Sequence, residues 1–508
     1  MEMGLAQWGL GSLYLLMLLG LLYPNTATRW SLVDKLMQVH LGLSVCIWLA
    51  VLAIGQDTLA GQHDLLQTSA MPLTLLVLVS YLGIVIQRYA RRNLDGDPRQ
   101  HYFLTWYLST LLAVELTIAS NHLVIFVLGW IAISLCLHKL LLFYPERPRA
   151  NLAAHKKFLF ARLSEALLIA ASVLLYLQHD SVNITAILQH YQEQASLRAT
   201  DQAIAVLIAL VALVKSAQLP LHGWLIQVVE APTPVSALLH AGIINLGGYL
   251  LLLFSPLLSA ALPAQSLLLL VAGLSFLVAT AVMMTRISIK VRLAWSTVAQ
   301  MSLMLIECAL GLYELALLHI VAHSCYKANA FLGSGEAVNQ YLRGKLQEAA
   351  LPRPLHWMIA ATCVALLATT AFSVVGSPAV WSPWVLIGLT ALTLLAYCLG
   401  SGFSNALAQG LLLAGGGLLT YGVTSFGSGL LLQPQRELGN VAGDLWASLL
   451  FLCVFLIFVF FQYGTRSERM ERWFITLNAA FYLDEWATRL TLSLWPIKPL
   501  AHRTGEQQ

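Results

Sequence analysis

Apolar runs of about twenty residues, separated by short polar connections, recur from one end of the chain to the other. They begin near residues 4, 36, 71, 102, 122, 154, 202, 232, 264, 289, 312, 355, 383, 403 and 442, which predicts about fifteen membrane-crossing helices. Ten-residue segments of alternating polarity, the mark of a membrane barrel, are missing. The pattern specifies an all-α polytopic membrane protein. The first run, MEMGLAQWGLGSLYLLMLLGLLY, has no basic leader and no small-residue cleavage site, so it reads as a first span and not a removed signal peptide. From residue 464 onward the chain turns charged and amphipathic, as expected of a segment lying along a membrane surface.

Composition agrees with the pattern. The 508 residues are 58% hydrophobic and 10% charged, and the mean hydropathy is +0.75. The net charge of +4 sits in short connections, which suits topology-setting and gives no support to nucleic-acid binding. Six connections (24–35, 88–101, 143–157, 285–292, 336–353 and 464–472) hold nineteen Lys or Arg, and they alternate with connections holding only Arg198 and Arg436. By the positive-inside rule the basic set is cytoplasmic, with the N-terminus outside and the C-terminus inside. The seven cysteines are scattered in apolar runs without a C-x-x-C pair, and read as packing residues. No phosphate-binding glycine loop, dinucleotide turn or nucleophile elbow occurs. No catalytic site or cofactor is therefore expected in this chain, and energy must arrive as an ion gradient or through a partner.

Ionisable residues inside apolar runs change the picture further. A charge at bilayer depth costs a few kcal/mol, so it normally faces protein or a wet cavity. Glu115, Lys139, Arg162, Glu165, Lys215 and Glu307 are so placed, with His319, His323 and Lys327 in HIVAHSCYKA. Each alone could be a structural ion pair or a side chain reaching for the headgroups; together they predict a polar axis. Arg162 and Glu165, three apart on one helical face, read as a structural ion pair. Lys215 closes a long uncharged run, and desolvation makes a buried ammonium easier to deprotonate, so it is a candidate proton carrier. It opens KSAQLPLHGWLIQVVEAPTPVSALLHA, which contains His222, Glu230 and His240 and is interrupted by Pro220, Pro232 and Pro234. Proline-broken helices at membrane depth mark cavities and ion sites. His319, His323 and Lys327, four residues apart, form a helical stripe about 12 Å long. A proton relay is the leading reading of that stripe, beside a satisfied structural cluster and a metal site.

The string KSAQLPLHGWLIQVVEAPTPVSALLHAG, followed by IKVRLAWSTVAQM and HIVAHSCYKANAFLGSG, resembles the proton-conducting membrane transporter family, which includes the antiporter-like subunits of respiratory complex I and of Mrp cation/proton antiporters. AAFYLDEW near 479 to 486 is similar to the C-terminal part of the complex I L-type subunit. The resemblance implies two inverted five-helix repeats, each with a broken helix, here the seventh span and the eleventh or twelfth. The corresponding divisions are 1–101, 102–260, 261–435 and 436–508. It implies that Lys215 is the central lysine of the first half-channel, that His240 and Lys290 belong to the pathway, and that His319, His323 and Lys327 lead toward the second half-channel; His222, Glu230 and Glu307 complete the candidate set. Two departures stand out. Ile131 in GWIAIS replaces a glutamate that pairs with the central lysine, and 354–435 contain no Asp, Glu, Lys or Arg.

This trimmed pattern resembles the membrane subunits of two-component DAB inorganic-carbon accumulation systems. That resemblance implies a bacterial inner-membrane protein, with no metal or cofactor of its own, whose cation flow, by expectation protons, drives a large peripheral partner on the cytoplasmic face. The partner would be zinc-containing, similar to a β-carbonic anhydrase, and would convert CO2 to bicarbonate. The alternatives are a proton-pumping subunit of an NADH:quinone oxidoreductase, an Mrp-type antiporter subunit, and a membrane anchor whose channel is inactive.

Overall fold

The computed structural model describes residues 2–26, 28–54, 65–193, 196–336, 342, 351–375, 378–400, 415–416, 440–464 and 468–496. Helices make the architecture; among the described residues the extended pairing amounts to two isolated bridges, Leu66 with Ser120 and His122 with Asn183. The first half runs through α1 (Glu2–Leu22), α2 (Arg29–Ile54), α3 (Ala70–Asn93), α4 (Gln100–Ala119), α5 (Leu123–Leu141) and α6 (Pro148–His179). A short surface helix, α7 (Ile184–Glu193), leads to α8 (Ala199–Lys215) and the fragments α9 (Gly223–Gln227), α10 (Thr233–Ala241), α11 (Leu246–Leu253) and α12 (Ser255–Leu258). The second half contains α13 (Leu262–Met284), α14 (Ile289–Ala309), α15 (Tyr313–Leu332), α16 (Pro354–Val375), α17 (Ser382–Gly400) and α18 (Val441–Tyr463), and closes with α19 (Glu468–Asn478) and α20 (Glu485–Leu494).

Among the described residues nine helical segments are long and apolar enough to cross a membrane. The expected spans near 4 and 355 appear as shorter apolar helices, Gly9–Leu22 and Pro354–Thr370. Those near 202, 289 and 312 are helices that fall outside this set for a physical reason. The first ends after 17 residues at Lys215. The other two carry Lys290, Arg292 and Glu307, or Glu314 and Lys327, inside the apolar stretch. The span expected near 403 lies outside the described residues.

The seventh span is broken where the sequence suggested. After Lys215 the chain leaves the helix, passes Ala217 at a left-handed φ of 52°, crosses Pro220 and resumes only as the five residues of α9. Pro232 and Pro234 behave differently from the expectation. They do not interrupt a helix but open α10, where a missing N–H costs nothing. The interruption of the eighth span comes at Gly242, with φ −120° and ψ −73°, followed by a tight turn over Ile243–Asn245 before α11. The second broken helix expected in the eleventh or twelfth span is not found there. α15 runs unbroken for 20 residues and α16 for 22, because neither has an internal proline.

The kinked α10–α11 segment lies at the centre, with 94% of its apolar window buried. Small residues let it pack so closely: a Cβ on Gly247 would sit 2.2 Å from Ser216 Oγ and 2.9 Å from the carbonyl of Ala212, and one on Gly248 would sit 2.4 Å from the Met304 side chain. Span eight is thereby held between the end of α8 and the middle of α14. Elsewhere the ends are fixed by capping: both oxygens of Asp444 on α18 accept the Trp381 and Ser382 backbone N–H groups, at 2.8 and 2.7 Å, fastening the start of α17. The amphipathic C-terminal segment turns through left-handed Ala480, Phe481 and Tyr482 and lays α20 against α6.

Candidate functional site

Ending α8 at Lys215 brings its ammonium to a cavity of about 30 Å³ between α5, α6, α8 and α9. That is room for one or two waters. Lys215 Nζ stands 4.5 Å from the centre of the Trp130 ring, whose π face receives the cation. Lys157 of α6 enters the same cavity and donates to the carbonyl and the hydroxyl of Ser134, at 2.9 and 3.1 Å. The Ser134 hydroxyl also accepts from Arg162 Nη2 at 3.1 Å, and that guanidinium pairs with Glu165 Oε1 at 2.7 Å. The predicted Arg162–Glu165 pair therefore forms, but Glu165 does more than satisfy it. Its carboxylate, 4% exposed, lines the cavity and acts electrostatically on both Lys157 and Lys215. Ile131 leaves α5 without an acid, and the carboxylate at this lysine comes instead from α6.

A second cluster joins α10, α14 and α15. His319 Nδ1 lies 3.0 Å from Glu307 Oε2, and its Nε2 lies 2.9 Å from Gln300 Oε1. The His319 and His323 rings are 5.9 Å apart. His323 donates to the backbone carbonyl of His240, which in turn stacks on Phe331 at 4.3 Å and meets Thr297 Oγ1 at 3.1 Å. Lys327, wholly buried, donates to the Leu293 carbonyl at 2.9 Å and to Ser296 Oγ. The Nε2 atoms of His240 and His323 are buried and without a hydrogen-bond partner among the described residues. The two histidines of the stripe are thus linked to each other and to His240, with Glu307 supplied from a neighbouring helix, while Lys327 bonds to α14. Among the described residues no three His, Cys, Asp or Glu side chains gather as a metal site.

Two further polar contacts, at residues the sequence reading missed, tie together the elements that carry the clusters. Gln218, three positions past Lys215 and buried, accepts from Ser302 Oγ of α14 at 2.7 Å and donates to the Ser216 carbonyl at 2.9 Å. Asn245, at the kink of span eight, donates to Ser324 Oγ of α15 at 2.7 Å. Neutral amides and hydroxyls are frequent enough that nothing in the sequence singled these out. Lys290 and Glu230 stand apart from both clusters: Lys290 donates to Thr233 Oγ1 at 3.0 Å, and the half-exposed Glu230 is 3.9 Å from Arg149. His222 faces a third, larger cavity. A separate buried pair, His40 and Glu115 at 3.0 Å, joins α2 to α4, with Ser80 Oγ donating to the same carboxylate at 3.2 Å.

The chain matches the family profile described as NADH:quinone oxidoreductase/Mrp antiporter, TM, over residues 120–414, the stretch that contains both clusters. It belongs to that family. Within it, the chain is 42% identical to a protein named "Probable inorganic carbon transporter subunit DabB" from Hydrogenovibrio crunogenus, over 97% of this chain and 96% of that one. It is 37% identical to "Probable inorganic carbon transporter subunit DabB2" from Halothiobacillus neapolitanus, over 85% and 81% of the two chains. Similarity extends to NADH-quinone oxidoreductase subunit L of Mycobacterium tuberculosis, 32% identical over 54% of this chain and 43% of that one. Among solved structures, the Mrp complex from a Dietzia species superposes with a TM-score of 0.58 at 21% identity. That match covers 99% of this chain and 58% of its counterpart, and it shows a shared antiporter-like membrane fold.

Proposed function

We propose that this chain is the ion-conducting membrane subunit of an inorganic-carbon accumulation complex, with protons as the conducted ion. The observation that carries the reading is the pair of buried titratable clusters, around Lys215 and from Glu307 to Lys327, whose helices are tied together at the broken span by the Ser302–Gln218 hydrogen bond. The names of the two relatives most fully covered support the inorganic-carbon assignment. In this reading 102–260 and 261–435 are inverted repeats that each contribute a half-channel across a bacterial inner membrane, the N-terminus lying outside. The peripheral partner is a zinc-containing, carbonic-anhydrase-like protein on the cytoplasmic face, and the chain itself catalyses nothing. One proton moving down about 100 mV releases about 2.3 kcal/mol, close to fiftyfold in an equilibrium, enough to bias hydration of CO2 toward bicarbonate.

Growth and bicarbonate uptake in air, compared with growth at high CO2, test the proposal. Lys215→Ala and Lys327→Ala are each expected to impose a requirement for high CO2; normal uptake in air by both variants overturns it. Kinship with the NADH-quinone oxidoreductase L subunit favours one second reading, a pumping subunit of a quinone-reducing complex. Affinity purification separates the two: a single large zinc-containing soluble protein supports the first, and a set of flavin and iron–sulfur subunits supports the second.

A further inference from the structure

A larger polar cavity near the broken span lies beyond the Lys215 cluster. It measures about 370 Å³ and opens between α9, the 285–288 connection and the C-terminal segment, with His222, Arg286, Trp295, Gln227, Asp484 and Arg489 among its walls. Several polar atoms facing this region are buried and unpartnered among the described residues: His222 Nδ1, Trp295 Nε1, Arg286 Nε and Asp484 Oδ1. His222 and Trp295 are each 1% exposed, so only water or a small polar species inside the cavity can satisfy them. α9 is the partition between this vestibule and the inner cavity: His222, Gly223, Ile226 and Gln227 line the first, and Trp224 lines the second beside Lys215.

Asp484 is built into this wall. Its Oδ2 accepts from Lys156 Nζ at 2.7 Å and from Gln227 Nε2 at 3.2 Å, and Lys156, whose side chain is wholly buried, also donates to Thr488 at 2.7 Å. Its Oδ1 points at Gly223, where a Cβ would fall 1.5 Å from that oxygen; only glycine admits the contact. Burial lifts the Asp484 carboxyl above the ordinary carboxylate range, with the Lys156 and Thr488 contacts pulling the other way. The titratable and charged groups around it are Lys156 from α6, His222 at α9, Arg286 before α14, and Glu485 and Arg489 from α20.

We propose that this vestibule is the cytoplasmic mouth of the ion path, in which Asp484 exchanges a proton with water and, through confined water past His222, with Lys215. The proposal rests on the proton-conducting reading above and adds to it the place where the proton is held at the cytoplasmic face. Hydronium gives its proton to Asp484 Oδ1 and leaves as water; the carboxylic acid then gives that proton to the next water and returns to carboxylate. Lys156 is a positioning residue, holding the other oxygen so that Oδ1 stays turned to the vestibule.

Proton uptake driven by an imposed potassium diffusion potential tests this, in membrane vesicles from the host, with vesicles from a deletion strain subtracted. Asp484→Asn should slow uptake about tenfold at about pH 8, where the native carboxyl is ionised and can accept. The deficit should shrink toward pH 6, because a neutral amide imitates the protonated acid, and Asp484→Glu should recover most of the rate. Wild-type uptake by Asp484→Asn at both pH values, while Lys215→Ala conducts nothing, overturns this cytoplasmic mouth and leaves the conduction reading standing. Wild-type uptake by Lys215→Ala overturns that reading instead. Should Asp484→Asn fail to accumulate, Ile226→Cys offers the second measurement. A membrane-impermeant thiol reagent should block its uptake relative to the treated wild type, and full labelling without loss of rate refutes the vestibule as the route.

Discussion

The two lysines that end the proposed polar axis are held in opposite ways. Lys215 sits at a helix terminus with its ammonium over an aromatic face and beside a cavity large enough for water. Lys327 lies inside the unbroken α15, with its ammonium fixed by a carbonyl and a hydroxyl of α14. A cation held by a π face keeps its N–H groups free to trade partners, whereas one held by two oxygens must break hydrogen bonds before it can move. In the proposed path, the comparison assigns mobility to the end at the broken helix and storage to the end in the intact one. In the proposed path the histidines beside the second lysine suit a tightly packed cluster, because an imidazole can pass a proton without changing rotamer.

Variants can break this contrast in order of expected effect. Lys215→Ala should lower potential-driven proton uptake by about a hundredfold or more, since no other group on α8 can replace its amine. Lys327→Ala should lower it about tenfold, because the neighbouring imidazoles keep part of the second cluster intact; equal losses in the two variants would erase the distinction between them. Glu165→Gln should slow uptake about fivefold by removing the carboxylate between Arg162 and the two lysines, with no loss of protein from the membrane. Ser302→Ala strips the hydrogen bond from Gln218, and a stability loss of about 1 kcal/mol, read as a lowered thermal midpoint in detergent, should accompany a twofold to threefold slower uptake. Glu115→Gln, in the separate pair with His40, should leave uptake near the wild-type rate and alter thermal stability alone.

Much of the fold could be read from the sequence because membrane helices obey a length rule that apolar runs display directly. The break after Lys215 was also legible, since a proline and a glycine interrupt an apolar stretch there. The kink at Gly242 was not: its cause is the crowding of Gly247 and Gly248 against α8 and α14, a packing fact with no local signature. Pro232 and Pro234 misled for the complementary reason, because a proline that starts a helix and one that breaks it look alike until the helix boundary is known. For the site, spacing on one helix exposed the His319–His323–Lys327 stripe. The contribution of Glu165 to the Lys215 cavity, and of Asp484 to the vestibule more than two hundred and fifty positions from Gln227, arises from contacts between distant segments. Charge counting singles out such residues; only the fold says what they face.

Electrical measurement of the central lysine bears most directly on the account. In host membrane vesicles under an imposed potential, the wild-type chain is expected to carry a proton current that disappears in Lys215→Ala. A Lys215→Ala current equal to the wild type would contradict the claim that a proton path crosses this protein at its broken helix.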